Sequence, residues 1–320
     1  MQRRNFLKLA ASAYASLAVD PASTVASTQQ SPIIDTHIHL FDPGRPGGIP
    51  WPEPGDSIYK QTLPERYATI AEPLGVVGAI AIEASPWPRD NDWLLQVAAD
   101  NSLIVGVVGD LVPGASDYAK QLERLHANPL FLGIRYGNLW KRDLGVDARK
   151  PEFIAGLKQL AAYGLELDSA NPDPDLIRAI VNVSDQIPEL RIVIDHLPAS
   201  PVPASGTAGD LYRSHLRQLA GNPNVFIKLS EIPVRIANNV PKDPAYYHDR
   251  LDAIWSTFGE DRILYGSDWP NSDHLATYSE TFALVRSYVS RKGNAACQKF
   301  FFNNSIAAYK WHPRRAAQRD

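Results

Sequence analysis

His37 and His39 stand one residue apart in "IIDTHIHLFDP" (residues 33–43), with Asp35 before them and Asp42 after. Imidazoles bind metals or move protons near neutral pH, and a carboxylate beside them accepts a proton from water or orients a ring. The same pattern suits polar residues closing a buried strand. Three readings are therefore open: a metal site, a metal-free catalytic pair, or strand-end polar groups. "RIVIDHL" carries His196 and "RILYGSD" ends on Asp268, again where an apolar run stops. Singly, His196 also reads as a satisfied polar residue and Asp268 as a turn cap.

The elements that must position these residues alternate short β-branched runs with longer helical patterns. The runs are "IIDTH" (33–37), "VGAIAIEA" (77–84), "SLIVGVVGDL" (102–111), "FLGIRY" (131–136), "GLELDS" (164–169), "RIVIDHL" (191–197), "NVFIKLS" (224–230) and "RILYGSD" (262–268). Between them "ASDYAKQLERLHA", "PEFIAGLKQLAAY" and "PDLIRAIVNVSDQ" space apolar residues three and four apart, as amphipathic helices do. Eight such units predict an α/β fold, the (β/α)8 TIM barrel, whose usual length of about 250 residues fits the chain. Alternate strand residues share a face, so Asp35, His37 and His39 are expected to point the same way. By the same rule His196 is expected on the face of Ile192 and Ile194, and Asp268 on that of Leu264 and Gly266. These residues would then converge at the C-terminal mouth, where barrels of this kind carry their chemistry.

Two Pro- and Gly-rich connections leave the same ends: "FDPGRPGGIPWPEPGDSIYKQTLPER" after the first strand and "PASPVPASGTAGD" after the sixth. They are expected to be lid or substrate loops. The tail "KWHPRRAAQRD" reads as a solvated end.

With 320 residues and 44% hydrophobic content the chain can bury a full core. Its 32 basic and 35 acidic residues are interspersed for a net charge of -3, which gives no field to attract nucleic acid or an anionic membrane. A small-molecule substrate is the expected partner. The one cysteine, Cys297, excludes an internal disulfide or a cysteine-rich zinc site. "MQRRNFLKLAASAYASLAV" joins Arg3 and Arg4 to a short apolar stretch and resembles a twin-arginine export signal. Its apolar part is shorter than the roughly 20 residues of a spanning helix, so no stable membrane anchor is expected. Residues 1–30 are assigned to this leader and linker and 31–320 to the barrel, with the export machinery as a partner and a periplasmic or secreted location. Oligomeric state is open.

Taken together, "IIDTHIHLFDP", "GVVGDL", "FLGIR", "VIDHL", "NVFIKLS" and "ILYGSDWP" resemble, in order and spacing, the amidohydrolase superfamily. The likeness is to its amidohydrolase-related branch of sugar lactonases and 2-pyrone-4,6-dicarboxylate lactonases, and runs from Ile33 to about Tyr309. It implies that Asp268 is the general base on a hydrolytic water, with His37, His39 and His196 around the reacting carbonyl. The histidines would donate to the developing oxyanion or hold a cation that stabilises it. Arg135 would clamp a substrate carboxylate or hydroxyl through its planar fork, and Lys228, on the face of Phe226 and Ser230, would add positive charge. Glu83 and Asp168 are further candidates to orient histidines or bind substrate, and Trp51 and Trp87 to face a sugar ring.

Metal-dependent members of the superfamily complete the site with a histidine on the fifth strand or a bridging group on the fourth. Here the fifth strand offers Glu166 and Asp168, and the fourth Arg135, whose charge would repel a second cation. The expectation is a hydrolase that opens a cyclic ester with no obligatory metal. The alternative is a zinc-dependent amidohydrolase or decarboxylase of a small acid or amide, with one divalent cation on His37, His39, Asp268 and His196. A binding protein that uses the barrel mouth without turnover is a third reading.

Overall fold

The computed structural model describes residues 32–203 and 205–319; the expected leader, residues 1–30, lies outside them. Strands β1 (Ile33–His39), β2 (Val76–Ile82), β3 (Ile104–Gly109), β4 (Phe131–Arg135), β5 (Glu166–Ser169), β6 (Arg191–Ile194), β7 (Val225–Leu229) and β8 (Ile263–Tyr265) match the eight expected runs to within a few residues. They pair in parallel, each with the next in the chain. The ring closes where the segment after β8 lies against β1: His39 N–H donates to the Trp269 carbonyl at 2.8 Å, and Asp268 N–H to that of His37 at 2.9 Å. This is the expected (β/α)8 barrel.

A helix follows each strand: α1 (Pro64–Ala71), α2 (Asp90–Asp100), α3 (Tyr118–His126), α4 (Pro151–Ala162), α5 (Pro174–Gln186), α6 (Thr207–Gly221), α7 (His248–Phe258) and α8 (Tyr278–Ser290). Local chemistry starts several of them. Asp173 accepts from the Leu176 amide at 2.8 Å ahead of Pro174 in α5, and Thr277 and Glu280 form a capping box on α8. Among the described residues no helix is long and apolar enough to cross a membrane.

Alternation sorts the strand residues into two cores. Ile33, Ile38, Ala79, Ile192, Ile194 and Tyr265 pack outward on the helices. Ile34, Ile80, Val105, Leu132, Val193, Phe226 and Leu264 fill the interior, where Phe302, Tyr309 and Trp311 of the C-terminal segment join them. That segment runs through helical turns at Asn294–Gln298 and Asn304–Tyr309 with a π-helical turn, Lys299–Asn303, between them. It plugs the N-terminal end of the barrel.

The tail is therefore not the solvated end that its composition predicts. The Arg314 guanidinium donates to the carbonyls of Ala98, Ala99, Asn101 and Ile104, and Gln318, fully buried, to those of Val77 and Ser102. Its charges satisfy carbonyls at the lower rim, partners that composition alone does not reveal.

Candidate active site

β1 does not alternate evenly. Asp35 pairs with Ala79 and Ile38 with Ala81, so three steps on β1 match two on β2. This β-bulge switches which residues face inward. Asp35 turns to the helices, where its carboxylate accepts from the hydroxyls of Tyr67 at 2.8 Å and Tyr278 at 3.1 Å. His37 and His39 turn into the barrel. The expectation that all three share a face is corrected accordingly: Asp35 is a structural anchor, holding the Ser267 amide at 2.9 Å and the His37 amide at 3.2 Å. Gly266 is needed beside this bulge, because a Cβ there would stand 2.9 Å from that of His37.

His196 also arrives by another route than expected. Ile192 and Ile194 face the helices, so the inward residue is Asp195, and His196 swings in because its φ is +54°. Asp268 takes the same left-handed conformation, φ +59°. Such backbone is costly for a residue with a Cβ and is held here by the surrounding bonds.

The resulting cluster is compact. His37 Nε2 and His39 Nε2 are 3.3 Å apart, and Asp268 Oδ1 lies 3.4 Å from the first, 3.2 Å from the second and 3.9 Å from His196 Nε2. That oxygen is buried and accepts no hydrogen bond, while Asn271 Nδ2 donates to Oδ2 at 2.7 Å. Burial pushes the Asp268 carboxyl up, but the neighbouring histidines His196, His39 and His37 more than offset it and hold it well below the usual carboxylate range. Burial and the Lys228 cation hold the His37 imidazole well below its ordinary range, so it is neutral near pH 7.

Hydrogen-bond partners fix two tautomers. His39 Nδ1 sits 3.1 Å from the Ile82 carbonyl, which only accepts, so Nδ1 carries the proton and Nε2 presents a lone pair. His196 Nε2 lies 3.3 Å from Arg135 Nη2, which only donates, so its proton is on Nδ1, 2.7 Å from Ser230 Oγ. Two donors on a tetrahedral zinc at about 2.0–2.2 Å stand roughly 3.3–3.6 Å apart. His37, His39 and Asp268 already have that spacing, and the unbonded Asp268 oxygen completes a nitrogen and oxygen donor set that fits one divalent cation.

Below and beside this cluster the expected substrate cations are occupied. Arg135 bonds Asp195 at 3.0 Å through Nε and stands 3.7 Å from Glu83 through Nη1. Lys228, 0% exposed, holds Asp168 at 2.5 Å and Asp195 at 2.9 Å, with His37 Nδ1 at 3.2 Å. Lys228 and Asp168 thus lie beneath the histidines rather than at the mouth, because the inward face of β5 and β7 at that level is interior. Glu83 is nearer the opening, accepting from Trp140 Nε1 at 3.1 Å and the Ser85 amide at 2.9 Å. Burial pushes its carboxyl up to about 7, with Arg135 pulling the other way. Trp51 stands edge-on to His39, ring centroids 5.6 Å apart. Its loop, expected as a lid, is pinned by the Phe41–Thr62 bridge and by Arg45, which bonds Asp90 at 2.5 Å. Trp87 stacks under Arg89 instead.

Sequence reasoning missed three members. Asp195 was hidden as the residue before a histidine already assigned inward. Glu231, φ +49°, and Asn271 follow their strands, and meet each other at 3.2 Å beside Asp268. An acid directly after "NVFIKLS" was the available signal.

A parallel eightfold barrel whose mouth holds a His-x-His pair, a third histidine and a strand-end aspartate defines an enzyme of the barrel hydrolase class. Residues 34–311 match the family model described as amidohydrolase. The chain belongs to the amidohydrolase family. It is 28% identical over 283 residues to an L-fucono-1,5-lactonase of Burkholderia ambifaria, covering 87% of this chain and 95% of that protein. A second L-fucono-1,5-lactonase, from Burkholderia multivorans, is 25% identical over 291 residues, covering 86% and 94%. Among solved structures, a Burkholderia multivorans amidohydrolase with bound zinc superposes with a TM-score of 0.75 at 23% identity, over 88% of this chain and all of that one.

Proposed function

We propose that the protein hydrolyses a sugar lactone, opening the cyclic ester to a hydroxy acid. The observation that carries this is the buried, unbonded Asp268 Oδ1 set between the two histidine Nε2 atoms at the mouth. The similarity to the two fuconolactonases supports it.

In this reading Asp268 accepts a proton from water as the water oxygen adds to the ester carbonyl carbon. The ring C–O bond then breaks, the ring oxygen takes the proton that Asp268 accepted, and the new carboxylic acid loses its proton to solvent, leaving carboxylate and hydroxyl. Neutral sugar hydroxyls suit the mouth better than a second carboxylate on the substrate would. The carboxyls of Glu83 and Glu231 are there to accept hydroxyl donors, while Arg135 and Lys228 already face protein carboxylates. Trp51 offers an apolar face to the sugar ring.

A metal-free and a cation-assisted form share these residues. The donor set favours the second, since His39 presents a lone pair, which binds a cation but cannot donate to an oxyanion. A divalent cation held by His37, His39 and Asp268 would acidify its bound water and polarise the carbonyl. The test is hydrolysis of a panel of sugar and dicarboxylate lactones by exhaustively chelated protein, before and after zinc or manganese is restored. Undiminished turnover after chelation establishes the metal-free form, turnover only on restoration the cation-assisted one, and none in either state rejects the lactonase reading.

Export is proposed on the Arg3-Arg4 leader. Changing both arginines to lysine is expected to keep the protein in the cytoplasmic fraction, and unchanged fractionation would reject the proposal.

A further inference from the structure

We infer that Trp140 is a specificity-determining residue, taking the apolar C–H face of the lactone ring while Glu83 beside it accepts a ring hydroxyl; this rests on the sugar-lactone reading above and deepens it. Trp140 lies in the loop after β4, where the sequence alone names no site residue. The Arg142 amide donates to the Leu139 carbonyl at 3.0 Å, closing a turn with Trp140 and Lys141 at its centre. Both have left-handed backbone, with φ +57° and +62°. A turn with two positive φ angles ordinarily carries Asn or Gly at these positions, and a residue with a Cβ is strained there. The turn is held in this shape from both sides. On one, the Asn138 amide donates to the Ala170 carbonyl at 3.1 Å and its side chain to Asp173 at 3.1 Å. On the other, Arg142 bonds Asp110 through both terminal nitrogens and lies over the Tyr136 ring.

What this strained turn delivers is the indole. Trp140 Nε1 donates to both Glu83 oxygens, at 3.2 and 3.1 Å. The ring is half-buried and joins neither hydrophobic core, so core packing does not account for a tryptophan at a position that favours glycine. Glu83 stands 3.7 Å from Arg135, and Arg135 3.3 Å from His196, which puts the indole three contacts from the histidine cluster. Glu83 also lines one cavity with Trp51 and Phe41. Its carboxylate is thus flanked by two tryptophans, one from the loop after β1 and one from the loop after β4. A carboxylate has about four acceptor positions, and the indole with the Ser85 amide leaves one for a hydroxyl. A sugar ring matches that pair of groups, since its C–H face suits an aromatic ring and its edge hydroxyls suit a carboxylate. Trp87, the other tryptophan expected to face a sugar, stacks on Arg89 and leaves this place to Trp140.

The experiment compares wild type with Trp140→Phe, which keeps an aromatic face and removes the indole N–H, and with Trp140→Gly, which removes the ring and suits the left-handed turn. Two quantities are read: kcat and KM on whichever sugar lactone of the panel the wild type hydrolyses, and the calorimetric Kd for the same sugar lactones with Asp268→Asn added to each chain. For Trp140→Gly, KM and Kd are expected to rise about tenfold while kcat stays within about threefold, and Trp140→Phe is expected to recover most of that loss. Unchanged KM and Kd in Trp140→Gly would overturn the inference. An equal loss in both variants would overturn it too, because it would reduce Trp140 to a hydrogen-bond donor that holds Glu83. Should the wild type be inert on every lactone, the hydrolytic reading fails by itself and Kd decides this one: sugar-lactone binding weakened by Trp140→Gly sustains it, and absent or unaltered binding ends it. If Trp140→Gly does not fold, Trp140→Asn, which also tolerates left-handed backbone, is read in its place.

Discussion

Asp35 and His37 are two residues apart on one strand, yet they face opposite sides of the barrel wall. Asp35 bonds Tyr67 and Tyr278 among the helices, while His37 meets Asp268 and Lys228 inside. One extra residue in β1 makes the difference, and the Asp35 carboxylate holds that bulge by accepting two backbone amides, those of His37 and Ser267.

Removing that carboxylate should therefore damage the site through the wall. Asp35→Ala strands several buried donors at about 1–3 kcal/mol each, so a loss of about 3 kcal/mol or more is expected. Thermal unfolding would show it as a Tm lowered by roughly 6 °C or more for a domain of this size. A Tm within a degree of wild type would contradict the anchoring role.

Asp268→Asn should do the opposite. It preserves shape and the approach of Asn271 but removes the base, so kcat on a lactone substrate should fall by about 100- to 10,000-fold with the fold intact. Near-normal turnover in the folded variant would exclude Asp268 as the proton acceptor.

Glu83 gives a pH signature. Its folded carboxyl titrates at about 7 against an ordinary 4.5, chiefly through burial. The folded chain thus binds more protons than the unfolded one between these values, and stability from this group falls as pH rises through that window. The fall is on the order of 3 kcal/mol at most. Calorimetry at pH 5 and pH 8 should show a smaller decline in Tm for Glu83→Gln than for wild type; equal declines would mean that Glu83 does not carry the effect.

Arg314→Ala tests the tail apart from the chemistry. Loss of a guanidinium that serves four carbonyls should cost about 2–3 kcal/mol, measured by denaturant unfolding, with kcat within about twofold of wild type because the residue lies at the far rim. Wild-type stability would restore the view of the tail as a loose end.

The barrel was legible because β-branched runs and helical spacing recur eight times, and a parallel sheet needs little else to be recognised. His37, His39, His196 and Asp268 were legible as polar residues where apolar runs stop. What simple alternation could not supply was the side on which they lie. A bulge moved Asp35 outward, and left-handed backbone at His196 broke the period of two, whereas Asp268 keeps the inward side of Leu264. Asp195, inward by that same period, was lost because its neighbour had been given its place. Arg314 was misread for a different reason: its partners are carbonyls from the end of α2 to the start of β3, and a carbonyl leaves no mark in a sequence.

The wall that carries His37 closes only when partners 243 residues apart in the chain, Asp35 and Tyr278, come together. No early fragment of the polypeptide can therefore hold the site in its final form, because the first strand, though paired with the second, keeps an open edge until the segment after the eighth strand reaches it. The complete site thus exists only in the complete barrel. A route across a membrane that threads the chain unfolded would have to build the site afterwards on the far side, whereas one that accepts a finished barrel would deliver it ready to work.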